Sequence, residues 1–144
     1  LSALRLIQPS QGKWTPGPPG TAESVDEAAR AIGLKFPTAY YDFLTQSDGG
    51  EGDLPVMPGL VIFWTAQQLI ELNRAYDVEH AVPGFYGIGT SGGGEMFAFD
   101  ARSKPWSVNI VPFIPMQQSG VILIAPDFES FLAIIGKGVW TGDE

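Results

Sequence analysis

The chain has 144 residues, a hydrophobic share of 44% and a formal net charge of −8, which fits one folded domain with its own core. It holds no cysteine and one histidine, His80, so disulfide frameworks, thiol nucleophiles, cysteine zinc sites and a His-rich metal centre within one chain are excluded. No apolar run approaches the ~20 residues of a membrane span, LSALRLIQPS lacks the apolar core of a secretory signal, and a phosphate backbone would be repelled by the net charge.

Residues 9–20, PSQGKWTPGPPG, are rich in Pro and Gly and read as part of an irregular lead-in over 1–20, with Trp14 docked on the body. A first helix is predicted over 24–32. Ser24 and Glu27 have the spacing of a capping box, Val25, Ala28, Ala29 and Ile32 make one apolar face, and Gly33 stops it. A second helix is predicted to start at Pro37, with Phe36, Tyr40, Phe43 and Leu44 on one side and Gly49–Gly50 at its end. The short link between the two predicts a packed pair. An acidic loop holding Asp48, Glu51 and Asp53 follows.

Residues 60–64, LVIFW, read as a buried strand, and Thr65 with Gln68 as the capping box of a third helix reaching Tyr76. A loop with His80 and Pro83 leads to a predicted hairpin, FYGIG then EMFAFD, around a Gly-rich turn. Strands at 107–111 and 121–124 come next, with Pro112 and Pro115 limiting the pairing of the first. A last helix runs from Pro126 with Phe128, Phe131, Leu132 and Ile135 inward, and Gly136 closes it. The expected fold is α+β: one domain over 21–137, a mainly antiparallel twisted sheet of about five or six strands, an N-terminal helix pair, one middle helix and a C-terminal helix, then a tail at 138–144.

The motifs that suggest catalysis lack their structural context. Gly87-Ile88-Gly89-Thr90-Ser91-Gly92 matches a dinucleotide fingerprint, but a strand-like EMFAFD stands where that motif needs a helix. Gly89-Thr90-Ser91-Gly92-Gly93 matches a nucleophile elbow with the same defect, and His80 precedes the serine, the wrong order for that hydrolase fold. Asp48, Glu51 and Asp53 do not have EF-hand spacing. The expectation is a protein with no catalytic residues, metal or cofactor. A hydrolase working through Ser91 or His80 is the reading that Ser91→Ala and His80→Ala variants would test.

The charge is uneven. Residues 42–100 hold nine acidic groups against Arg74, so the middle of the chain supplies the whole imbalance. Such a segment attracts and steers a basic partner. Asp48, Glu51 and Asp53 are the predicted contact group, with Glu95 and Asp100 nearby. Trp106 and Trp140 are candidate exposed aromatic anchors.

Three stretches in order, SVDEAARAIGLKFPTAYYDFLTQSDGG, YGIGTSGGGEMFAFD and DFESFLAII, resemble the pattern of the SUKH superfamily, the group named partly after the Smi and Knr cell-wall assembly regulators. The likeness covers about residues 20–136, with Phe36 where the family usually has Leu. The resemblance implies a binding domain without catalysis. In its bacterial form that is a cytoplasmic immunity protein that neutralises a cognate toxin domain, often a nuclease. The alternative it implies is a regulatory interaction module with no toxin partner. Deleting the gene separates the two: an immunity gene is dispensable once its toxin gene is gone, and a regulator leaves a phenotype.

Overall fold

The structure is a computed structural model and describes residues 2–138. Trp140 and the rest of the expected tail lie outside these residues. One seven-stranded antiparallel sheet organises the domain, with its strands in simple chain order. They are β1 (Trp14–Pro16), β2 (Gly50–Asp53), β3 (Leu60–Phe63), β4 (Phe85–Thr90), β5 (Glu95–Asp100), β6 (Ser107–Pro112) and β7 (Ile122–Ala125). The helices are α1 (Ala22–Ile32), α2 (Thr38–Gln46), α3 (Ala66–Ala75), the single turn α4 (Val78–Ala81) and α5 (Phe128–Ile134). The α+β class and the single sheet are as expected, and the sheet has more strands than the expected five or six.

The two additional strands come from segments whose composition argues against sheet. β1 lies in the Pro/Gly-rich lead-in, and β2, with the sequence GEGD, lies in the expected acidic loop. The reason is steric. A Cβ on Gly52 would sit 2.4 Å from Ile135 Cγ2 and 3.0 Å from the Trp14 ring, and one on Gly50 would sit 2.8 Å from that ring. Glycine lets Trp14 and Ile135 lie directly on the strand backbone. Trp14 docks as expected, 6.0 Å from Phe43 and 6.1 Å from Phe63 between ring centres.

The helix boundaries shift for local reasons. Thr21, not Ser24, caps α1: its hydroxyl accepts the Ser24 N–H at 3.0 Å, and the helix starts at Ala22, two residues sooner than expected. Gly33 ends α1 in the left-handed region at φ 84°. Pro37 precedes α2 instead of opening it, and α2 ends at Gln46, before the two glycines. The Thr65–Gln68 capping box of α3 forms in full, as expected. The segment expected as a loop around His80 contains α4.

Aromatic rings fill the face of the sheet under α2 and α5. Phe43 lies 4.7 Å from Phe63 and 5.5 Å from Phe128, and Tyr40 lies 4.9 Å from Phe99. Phe97 and Phe99 project to this face, with Phe97 reaching Phe131 and Phe99 reaching Phe128. Truncating one such ring to Ala costs about 3–5 kcal/mol. On the opposite face, Trp64 stacks on Tyr76 and Tyr76 leans on Phe113.

The sheet has one weak joint. β3 and β4 pair only at Ile62↔Thr90 and Phe63↔Gly89. The Trp64 N–H still reaches the Ile88 carbonyl at 2.9 Å, but at Gly87 β4 lacks a strand neighbour on this side, and Asn73 of α3 takes the place of one. Its side chain accepts the Gly87 N–H at 2.7 Å and donates to the Gly87 carbonyl at 2.9 Å. A side-chain amide has the donor and acceptor of a peptide group, so α3 satisfies the open ladder.

Candidate functional site

The carboxylates singled out from the sequence separate into structural and exposed groups. Asp48 is half-buried and accepts the Ala66 N–H at 2.8 Å. Ala66 opens α3, so this bond satisfies a donor that helix geometry leaves free and places negative charge at the positive helix end. The loop around it is pinned. Ser47 Oγ accepts the Gly17 N–H and donates to the Gly49 carbonyl, and the Asp48 N–H reaches the Pro18 carbonyl.

Asp53 Oδ2 accepts the Lys13 N–H at 2.8 Å, and the Asp53 carbonyl accepts the Gly136 N–H at 2.8 Å. It ties β1, β2 and the end of α5 together. Glu95 accepts the Ser91 hydroxyl at 2.7 Å across the hairpin turn. Asp100 receives the Arg102 fork at 2.9 Å from both Nε and Nη2, and these hydrogen bonds hold its carboxyl below the usual range. Arg102 in turn lies 4.8 Å over the Phe85 ring. Of the trio at 48–53, Glu51 is the exposed member.

Trp106 is not an exposed anchor. It is 8% exposed and packs on Phe99 at 5.5 Å, because the turn after β5 folds it back over the aromatic core.

Apart from Glu51 and Glu129, the exposed acids among the described residues gather elsewhere. Glu23, Asp26 and Glu27 lie on α1, Glu71 on α3, and Asp77 and Glu79 on and before α4. α1 packs against α3, and α3 runs into α4. The exposed bases on these elements, among Lys and Arg, are Arg30 and Arg74. A groove of about 390 Å³ lies between the helices and β4, lined by Ile32, Leu69, Asn73, Arg74, Asp77, Glu79 and Tyr86 among others. Burial, with the Glu79 carboxylate nearby, pushes the Tyr86 phenol above its usual range. The linear charge count placed the acidic region correctly in part, through Glu71, Asp77 and Glu79. It missed the α1 acids, because the same stretch of chain also holds Arg5, Lys13, Arg30 and Lys35 and its linear charge comes out near zero. The signal available was helical phase: Glu23, Asp26, Glu27 and Arg30 fall opposite Val25 and Ala28.

His80 precedes β4 in the chain and Ser91 follows it, and the Ser91 hydroxyl is engaged by Glu95 and not by His80. His80 Nδ1 instead faces Asp77 Oδ2 at 3.0 Å, on the surface. The glycines of 87–94 form β4 and the hairpin turn, with Gly92 at φ 81°. Among the described residues no group of three His, Asp or Glu side chains could hold a metal ion, and no helix is long and apolar enough to cross a membrane.

A single α+β domain on one continuous antiparallel sheet, flanked by an acidic helical surface, is the class of molecule these features define. The chain belongs to the SMI1/KNR4 family (SUKH-1), whose model matches residues 19–134. Membership makes it a SUKH-type protein-binding module. No curated protein matches the chain.

Proposed function

We propose that this protein is an immunity protein, a non-catalytic domain that neutralises a cognate toxin domain by covering its basic surface. The observation that carries the reading is the concentration of exposed carboxylates on α1, α3 and α4. A nuclease presents cations to the phosphates of its substrate, and a surface of this kind offers carboxylates in their place. Such charges raise the encounter rate, and any pair that becomes fully buried costs roughly 2–5 kcal/mol when truncated. The arrangement of Ser91 and His80 supports a role without catalysis. The contact group shifts accordingly from Asp48 and Asp53 to Glu71, Asp77 and Glu79, with the α1 acids beside them.

The test is co-expression with the C-terminal domain of a secreted protein encoded immediately upstream. The wild-type chain is expected to restore growth and to bind that domain with an affinity that falls as salt rises. A Glu71→Gln, Asp77→Asn, Glu79→Gln variant is expected to lose protection, and Glu51→Gln to retain it. Failure to protect would refute the immunity reading. Protection with binding indifferent to salt and to the triple substitution would refute the electrostatic surface.

A further inference from the structure

From Pro105 to Pro126 the chain contains no Asp, Glu, Lys, Arg or His. This neutral stretch, in a molecule of net charge −8, builds one end of the sheet: Trp106, β6, the connecting loop and β7. It also carries the two most exposed large apolar side chains among the described residues, Ile114 at 92% and Leu123 at 62%, and Ile122 is 51% exposed. β7 is the last strand of the sheet, and among the described residues no strand pairs with its outer edge.

The two ends of the sheet differ. At the other end β1 has three residues, follows Lys13 and finishes in Pro16, which has no N–H to offer. Short length, a neighbouring charge and proline are the usual protections of an edge strand. β7 has the sequence ILIA and neither charge nor proline within it. Its one irregularity is the register shift opposite Val108 and Asn109, which leaves Ile122 and Leu123 in regular register with Ile110 and Asn109.

We propose that β7 is a self-association edge, on which the β7 strand of a second copy of this chain pairs antiparallel about a twofold axis. Charge selects this occupant. Two molecules of −8 repel wherever acids face each other, and the β6–β7 end is where like can meet like without that cost. A basic partner would gain nothing from this neutral edge. Continuing the sheet across the axis satisfies the outer backbone groups of both strands, and Leu123, Ile122 and Ile114 supply the apolar contact.

The test is sedimentation equilibrium of the full chain over roughly 10 μM to 1 mM protein. A reversible monomer–dimer equilibrium is expected. It should strengthen between about 50 and 500 mM NaCl, because salt screens the repulsion between the two copies. Binding of a basic partner to the acidic helices has the opposite salt dependence, so the two surfaces are told apart. Leu123→Lys and Ile114→Lys change exposed positions and are expected to keep the wild-type thermal transition. Each should weaken dimerisation by about tenfold or more, as for one lost leucine-sized contact. A chain that stays monomeric throughout overturns the proposal. A dimer insensitive to both substitutions, or one that weakens with salt, also overturns it.

Discussion

Asn73→Ala tests the place where a side chain completes the sheet. The substitution removes three hydrogen bonds: two to the Gly87 peptide at 2.7 and 2.9 Å, and one to the Leu69 carbonyl at 2.9 Å. The last is one that a helix carbonyl can spare. The first two matter more, since Gly87 is buried and its N–H is left without a partner, at about 1–3 kcal/mol. Losing the carbonyl's bond adds about 1 kcal/mol. Alanine returns at most ~0.7 kcal/mol through better helix propensity. The net expectation is a loss of about 2–3 kcal/mol, or roughly 4–12 °C in Tm for a domain of this size. Urea unfolding measures the loss, and amide exchange at Gly87 locates it. Asn73→Asp should fare no better at neutral pH, because it keeps the acceptor but turns a carboxylate oxygen toward two carbonyls. A loss in Asn73→Ala below about 0.5 kcal/mol, with Gly87 exchange unchanged, would refute the idea that this amide substitutes for a strand.

The remaining expectations concern single groups. Asp48→Ala should cost about 1 kcal/mol of unfolding free energy through the lost bond to Ala66, whereas Glu51→Gln should stay within about 0.5 kcal/mol; equal effects in urea titration would contradict the division into structural and exposed acids. Tyr40→Phe should stabilise the protein by about 1 kcal/mol, because the Tyr40 hydroxyl is buried without a hydrogen-bond partner, and a lower Tm in the variant would show that the hydroxyl is satisfied. Asp100 is held below the usual carboxylate range by the Arg102 hydrogen bonds, so its contribution is present above the unfolded pKa and is lost as pH falls through the depressed value. The gap in urea midpoint between wild type and Asp100→Asn should therefore close on acidification from neutral pH, and a gap that widens would contradict the sign.

Elements announced by local chemistry were legible in the sequence. The Thr65–Gln68 box, the Gly33 stop and the apolar phase of Phe128, Phe131 and Leu132 each depend on residues within one or two turns, and each is realised. β1 and β2 were not legible, because the glycines of β2 are explained by Trp14 of β1 and by Ile135, side chains distant in sequence that press on the β2 backbone. The framework bonds of two acids in the trio were hidden in the same way. Asp48 bonds to Ala66 and Asp53 to Lys13, partners that no local pattern names, so two carboxylates read as solvated belong to the framework. Trp106 was misplaced because a tryptophan beside a proline does not disclose whether the chain turns inward.

The backbone bonds around Gly136 have a consequence for how the chain can be cut and rejoined. Ser10 and Gly12 both donate to the Gly136 carbonyl, at 2.9 and 3.1 Å, so the segment before β1 lies against the segment after α5. Spatial order is thereby uncoupled from chain order at this point. The exposed turn at Gly92–Gly94, where a Cβ on Gly94 meets nothing within 4 Å, offers new ends. A circular permutant opened there, with the segments flanking Ser10 and Gly136 bridged by a flexible linker, keeps the partners of all seven strands and gives up the tether between β4 and β5 with the few hydrogen bonds of that turn.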